Sequence, residues 1–381
     1  MERLNLILNH KDQKLSETWL FSQGTPSNYI IFKKLCGTGA THGEAKSYRR
    51  NSIILVPNTP VLKGKKEAID DDTELPKYPN ILAVYEGVSI DEVIHYLNSD
   101  LEFKKILCTP EAYMSKVKPA IEMSQNFDLY NDFFMLLDEC EKIIKDGDFR
   151  PSIILPVNDF FNFKDKAMIS ATAMIPSDNR FELNNFKRLY IKPKFKYKQK
   201  ISIINTNNLI CALKEELEKC SDEKIFIFLN SAELIQVVIE LLQIEGNSKV
   251  FCAEKSRSKL IHSGLTNVVT ELGNFAKYNF LTSKFFNAVD IFLNEKPTVI
   301  LMTDVLRKAF SMLDPYSDSI QILGRFRNGI KDAIHISNFN KNLDWKERER
   351  AVRYISDSYK ALNDLRTLEM SATNEGAKKY F

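Results

Sequence analysis

Short β-branched and aromatic runs alternate with amphipathic stretches along almost the whole chain, and no other feature limits the fold as strongly. In the first half these runs lie at 28–32, 52–56, 80–85, 105–108, 133–137 and 167–171. Most are continuously apolar, as strands buried on both faces of a parallel sheet are. Between them, 89–97 and 112–123 carry apolar residues at helical spacing. The second half repeats the scheme, with runs at 201–204, 225–229, 249–252, 278–281, 298–302 and 333–336 and helical spacing at 209–219 and 232–243. This alternation predicts βαβ units on mainly parallel sheets, twice over, hence an α/β chain of two similar domains. Segment 189–200, LYIKPKFKYKQK, interleaves basic and aromatic residues with one proline and no acid, and reads as an extended linker. Beyond 340 the pattern changes. Residues 344–368 form one long charged amphipathic stretch, expected to be a helix that packs back or bridges to another chain, while 372–381 carry no packing signal. The expected boundaries are 1–190 for the first domain, 191–200 for the linker, 201–340 for the second domain and 341–381 for a C-terminal helical extension.

Composition agrees with two cores. A chain of 381 residues holds more than two domains at about 150 residues each. Hydrophobic residues at 44% and charged residues at 27% exclude disorder as the main state. No apolar run approaches the length of about 18 residues that a membrane helix needs, so no membrane partner is expected. The first residues, MERLNLILNHKDQKLSETW, scatter charge where a secretion signal needs an apolar core. Cys36, Cys108, Cys140, Cys211, Cys220 and Cys252 lie far apart with no C-x-x-C pair, which disfavours structural zinc and predicts a reducing, cytoplasmic setting. A net charge of +3 points neither toward nor away from a polyanion.

Chemistry is concentrated in four segments. Cys36-Gly37-Thr38-Gly39-Ala40-Thr41 follows a predicted strand and precedes a short helical stretch at 42–50. Glycines there let backbone N–H groups approach phosphates, and Thr41 stands where a hydroxyl reaches Mg²⁺. Ala40 occupies the place of the lysine that contacts the terminal phosphates; a plain strand–helix turn would read the same way. Next, the apolar run ending in Asp138-Glu139 suits metal binding and activation of water, although a strand can simply end in solvated acids. Ile169-Ser170-Ala171-Thr172 closes another apolar run. Gln321-Ile322-Leu323-Gly324-Arg325-Phe326-Arg327 places two arginines beside a glycine, able to reach across a cleft toward transferring phosphoryl charge.

In order and spacing these segments resemble motifs I, II, III and VI of superfamily two helicases, the DEAD/DEAH-type nucleic-acid-dependent ATPases, over residues 28–340. Pro57-Asn58 within 54–59 looks like motif Ia, Thr109 within 108–111 like Ib, and Thr282-Ser283 through Asp290 like V. The resemblance implies two tandem RecA-like domains with ATP and Mg²⁺ between them. Gly37, Thr38, Gly39, Ala40, Thr41 and Gln321 would surround the nucleotide, with Thr41 and Asp138 on the metal. Asp138, Glu139, Arg325 and Arg327 would carry catalysis, and Ser170 with Thr172 would couple cleft closure to strand binding. A single- or double-stranded nucleic acid would lie on Pro57, Asn58, Thr109, Thr282 and Ser283, held mostly through phosphates, and protein partners are allowed.

Two departures weigh on activity. Ala40 replaces the loop lysine, and the second motif VI arginine, Arg327, comes one residue before its usual place, now Asn328. Loss of one donor aimed at developing charge costs about a hundred- to a thousandfold in rate. Lys33, Lys34 and Lys46 flank the loop and are candidates to reach in. The alternative expectation is a catalytically impaired scaffold of the same fold, in a replication, recombination or mobile-element assembly. Lesser features stay open: His42 as a phosphate contact or a solvent-facing side chain, Gln23 as an adenine reader, and Lys192, Lys194, Lys196, Lys198 and Lys200 as a phosphate track or a solvated linker. Phe285 and Phe286 read as base platforms or core, and Asp70-Asp71-Asp72 as an exposed loop.

Overall fold

Continuous Ile, Leu and Phe runs become the central strands because only a position covered on both faces removes every side chain from water. The computed structural model describes residues 1–47, 49–70, 73–147, 150–220, 224–286, 290–342 and 347–371. In the first lobe the strands are β1 (Arg3–Leu8), β2 (Tyr29–Phe32), β3 (Asn51–Leu55), β4 (Ile81–Val84), β5 (Lys105–Cys108), β6 (Phe133–Asp138), β7 (Asp165–Ser170) and β8 (Lys187–Pro193). They form one sheet in the order β1-β8-β2-β7-β6-β3-β5-β4, and every pairing in it is parallel. The second lobe has β9 (Ser202–Asn205), β10 (Ile225–Phe228), β11 (Ser248–Phe251), β12 (Val268–Val269), β13 (Tyr278–Leu281), β14 (Thr298–Thr303) and β15 (Asp332–Ser337). Its sheet runs β12-β11-β13-β10-β14-β15-β9, again with parallel pairings. The expected α/β class of two mainly parallel sheets is what forms.

Each sheet is covered on both faces. In the first lobe one apolar cluster gathers Ile53, Phe133, Met135 and Phe160, and another gathers Ile31, Ile54, Phe134 and Ile169. The second lobe repeats this with Ile227, Phe280 and Ile300 on one side and Phe226, Phe251 and Leu301 on the other. Phe285 and Phe286 are buried in the latter cluster, so they are core and not platforms for bases.

The linker reading needs correction at its start only, since 194–200 carry no helix or strand. Residues 187–193 are β8, a strand between β1 and β2, with Leu189 and Ile191 fully buried. Basic side chains alternating with apolar ones describe a strand as well as they describe a solvated connector. Lys192, Lys194, Lys196, Lys198 and Lys200 are all exposed. Beyond the two sheets, Arg348–Ser371 is a single helix of 24 residues; Asp344 and 372–381 lie outside the described residues, as do Asp71 and Asp72. Among the described residues no helix is long and apolar enough to cross a membrane.

Candidate active site

Strand register builds the site. The chain leaves β2 and passes over β7 and β6 before joining the sheet again as β3. Such a reversal opens a crevice beyond the carboxyl ends of the strands. Phe32 lies beside Ser170 and Asp138 beside Ile169. Lys33, Ser170, Asp138 and Glu139 therefore emerge together from three neighbouring strands. The loop from Lys33 to Gly39 follows β2 and leads into the helix Ala40–Lys46.

Gly37 and Gly39 have φ of 74° and 79°, the left-handed region that glycine enters without strain. Thr38 is buried and its hydroxyl has no partner, while its carbonyl accepts from the Leu15 N–H at 3.0 Å. Ala40 is buried in apolar surroundings. Thr41 Oγ1 donates to Asp138 Oδ2. Two hard oxygen donors in contact suit a Mg²⁺ ion that draws its other ligands from phosphates and water, so the residues fit that ion.

Lys34 and Lys46 are exposed, but Lys33 turns inward and is 6% exposed. Its Nζ lies 3.5 Å from Asp138 Oδ1 and 3.8 Å from Glu139 Oε1. Burial alone would lower its pKa, but the charges of Glu139 and Asp138 outweigh burial and hold it above the ordinary lysine value. Glu139 itself sits at φ 50°, a conformation costing a non-glycine residue about 1–3 kcal/mol and characteristic of functional sites. Burial would raise its carboxyl, yet Lys33 and then Arg325 hold it below the usual range.

The second lobe closes the crevice through the helix Asp318–Leu323 and the turn that follows it. Gln321 Nε2 donates to Glu139 Oε2 at 2.7 Å, and lies 3.1 Å from Glu141 Oε1 and 3.3 Å from Thr172 Oγ1. Ser170 Oγ donates to the same Glu139 Oε2 at 2.8 Å and accepts from the Thr172 N–H at 3.0 Å. Arg325 donates through Nη2 to Gln321 Oε1 at 2.6 Å and to Cys36 Sγ at 3.0 Å, and this nitrogen lies 4.0 Å from Glu139 Oε1. Arg327 Nη2 donates to Asp290 Oδ1 at 2.5 Å, and its guanidinium fills the space that a Cβ on Gly37 would need. Residues 287–289 of the motif V segment lie outside the described residues.

Glu141 was missed by sequence reasoning, which had no signal for a third acid. It is 1% exposed and its Oε2 has no partner. Burial, then the charge of Glu139, pushes its carboxyl up to about 7. Gly324 is equally specific. A Cβ there would lie 2.6 Å from Cys36 Sγ, 2.7 Å from Cys36 Cβ and 3.0 Å from the Ile320 carbonyl. Gly324→Ala is therefore expected to force the lobes apart and to destabilise the protein by about 1–3 kcal/mol, checked by thermal unfolding.

The expected strand-binding residues follow the carboxyl ends of strands in both sheets, in unlike environments. Pro57 follows β3, Thr109 follows β5 and Thr282 follows β13, all at carboxyl ends. The Pro57 carbonyl accepts from Arg150 Nη1 at 2.5 Å, and Thr109 Oγ1 accepts from the Ala112 N–H at 3.2 Å, so both are engaged within the protein. Thr282 is buried with its hydroxyl toward the Phe251 carbonyl, whereas Ser283 is exposed and Asn58 half-buried. His42 is half-buried against a tyrosine instead of facing solvent. Its Nδ1 lies 2.6 Å from Tyr78 Oη, and burial followed by the charges of Lys46, Lys65, Lys77 and Lys14 pushes its pKa down to about 4. Gln23 is exposed.

No protein-family model and no curated protein matches the chain. Solved structures do. Dbp5 of Saccharomyces cerevisiae bound to RNA and ADP BeF3 aligns over 85% of this chain and 82% of that chain at 16% identity, with a TM-score of 0.52. A single-residue variant of it in the same bound state aligns over the same shares at 15% identity, with a TM-score of 0.50. A DEAD box protein from Methanococcus jannaschii matches at 18% identity over 88% and 86%, with a TM-score of 0.39. With two parallel sheets in sequence, the chain has the fold of two tandem RecA-like domains that it shares with Dbp5.

Proposed function

We propose that the crevice between the lobes binds ATP with Mg²⁺ and that nucleic acid crosses the carboxyl edges of both sheets, giving a nucleic-acid-dependent NTPase of helicase type. The observation that carries this reading is Gln321. One side chain of the second lobe contacts Glu139, Glu141 and Thr172 of the first, so the acid pair and the arginines share one crevice with the glycine loop. In this reading Gly37, Thr38 and Gly39 cradle phosphates, and Thr41 with Asp138 would hold the metal, which supplies charge neutralisation at the phosphates. Glu139 orients the attacking water, Ser170 and Gln321 fix that carboxylate, and Arg325 and Arg327 face the transferring group. Dbp5, whose fold this chain shares, is bound to RNA and ADP BeF3 in its structure, which supports nucleic acid and nucleotide as the ligand classes.

The test is phosphate release with and without RNA or DNA. Glu139→Gln is expected to lower the stimulated rate by about a hundred- to ten-thousandfold, the range for losing a general base. Equal rates in the two proteins would refute hydrolysis at this site. Ala40 supports a second reading, a nucleotide-binding scaffold without turnover. Calorimetry with a non-hydrolysable ATP analogue separates the two: a scaffold binds it without any stimulated hydrolysis of ATP itself.

A further inference from the structure

A phosphate-binding cleft needs a cation aimed at the terminal phosphates, and at Ala40 the loop supplies a methyl group instead. Three observations indicate where the charge comes from. Lys33 is the loop-flanking lysine that turns inward, held by the ladder contact of its N–H to the Ser170 carbonyl at 2.8 Å. Its ammonium is poorly satisfied: three donors meet one acceptor at 3.5 Å and a second oxygen at 3.8 Å, where charge-assisted contacts close to about 2.7–2.9 Å. Five residues further along the same loop, the buried Thr38 hydroxyl lacks any partner. A buried ammonium with spare donors and a buried hydroxyl with none of its bonds made, both in one glycine loop, describe an anion site awaiting its anion.

We infer that Lys33 is the phosphate-contacting cation of this cleft and takes over the place left by Ala40, so that its ammonium moves from the acids onto the terminal phosphates when a nucleoside triphosphate binds. The inference rests on the reading of the cleft as a nucleotide site. It differs from a purely structural role for Lys33 as counter-ion of Asp138 and Glu139, because loss of a counter-ion is offset when the acid is neutralised as well, in Lys33→Met with Glu139→Gln, whereas loss of a phosphate contact is not. Lys65 is the rival lysine; it lies on the helix Thr59–Lys66 with its Nζ 5.6 Å from the centre of the Tyr78 ring.

The experiment measures binding of ATP, ADP and AMP to the full chain by calorimetry, in EDTA and again with Mg²⁺, so that the lysine is read apart from the metal. Lys33→Met is expected to weaken ATP roughly ten- to hundredfold while leaving AMP nearly unchanged, the loss of one charged hydrogen-bonding partner. Lys33→Arg is expected to keep most of the preference for ATP over AMP. Lys33→Gln is read alongside, so that failure of the methionine variant to fold does not decide the matter. An ATP preference that survives in both neutral variants, equal weakening of ATP and AMP, or loss of the preference in Lys65→Met instead, would each overturn the assignment. Failure of the unaltered chain to bind any of the three nucleotides would refute the cleft reading itself, and the role of Lys33 with it.

Discussion

Arg325→Ala is expected to slow ATP turnover by about a thousandfold or more, the scale of removing an arginine that faces transferring phosphoryl charge. The side chain is 3% exposed and does two things at once. It points Nη2 at the crevice, 4.0 Å from Glu139 Oε1. It also holds Gln321, through Nε to the main-chain oxygen at 2.9 Å and through Nη2 to Oε1 at 2.6 Å, which aims the Gln321 amide at Glu139, Glu141 and Thr172. Truncation removes the charge and frees the clamp. Arg325→Lys is expected to recover little, since an ammonium cannot reproduce the planar fork that reaches two partners. Steady-state phosphate release checks both variants, and a rate within about threefold of the parent would be inconsistent with a role for Arg325 in stabilising the transition state.

The largest effect on stability is expected at Glu44→Ala, a loss of about 3–5 kcal/mol, as for any buried ion pair broken from one side. Glu44 is fully buried on the helix that follows the glycine loop. Its carboxylate accepts from the Thr25 N–H at 2.8 Å, Ser52 Oγ at 2.6 Å, and Arg50 Nε and Nη2 at 3.0 and 2.7 Å, with Lys105 Nζ 3.7 Å away. Burial already pulls the Lys105 amine down to about 8 with Glu44 present. Without Glu44 that amine is left uncompensated. The same network sets an acid limit. Burial would raise the Glu44 carboxyl, but Arg50, Lys105 and Ser52 bring it down to about 2. A depressed carboxylate contributes its full stability above the unfolded value and loses it as pH falls toward the folded one. The parent is therefore expected to lose stability between pH 4.5 and 2, and Glu44→Gln to lose less there. Denaturant unfolding at a series of pH values measures both effects.

Much of this architecture is legible in the sequence because central parallel strands must be apolar on both faces. Phe133 to Leu137 and Thr298 to Met302 admit no other reading once their length is considered. β1 and β8 were harder for one reason. In RLNLIL and LYIKPKF, polar residues alternate with apolar ones, and such alternation suits a partly exposed strand, a loop or a linker. The meeting of Thr41, Asp138, Ser170 and Gln321 could be anticipated from the order of their segments, with Asp138 and Ser170 at strand ends and Thr41 and Gln321 on short helices. The direction of a side chain could not. Three lysines flank the loop in sequence, and only the backbone path past Phe32 turns Lys33 inward and leaves Lys34 and Lys46 in water. Glu141 carried no local pattern either; its Oε1 accepts from Gln321, 180 positions away.

The place of β8 between β1 and β2 has a consequence for biogenesis. The first lobe cannot complete its sheet until the strand ending at Pro193 has left the ribosome, because among the described strands β1 pairs with β8 alone. Until then β2 is an open border able to recruit foreign strands, and the six-residue β1 waits unpaired. A nascent or clipped chain ending before Lys187 therefore exposes an unpaired strand border, which is an aggregation hazard.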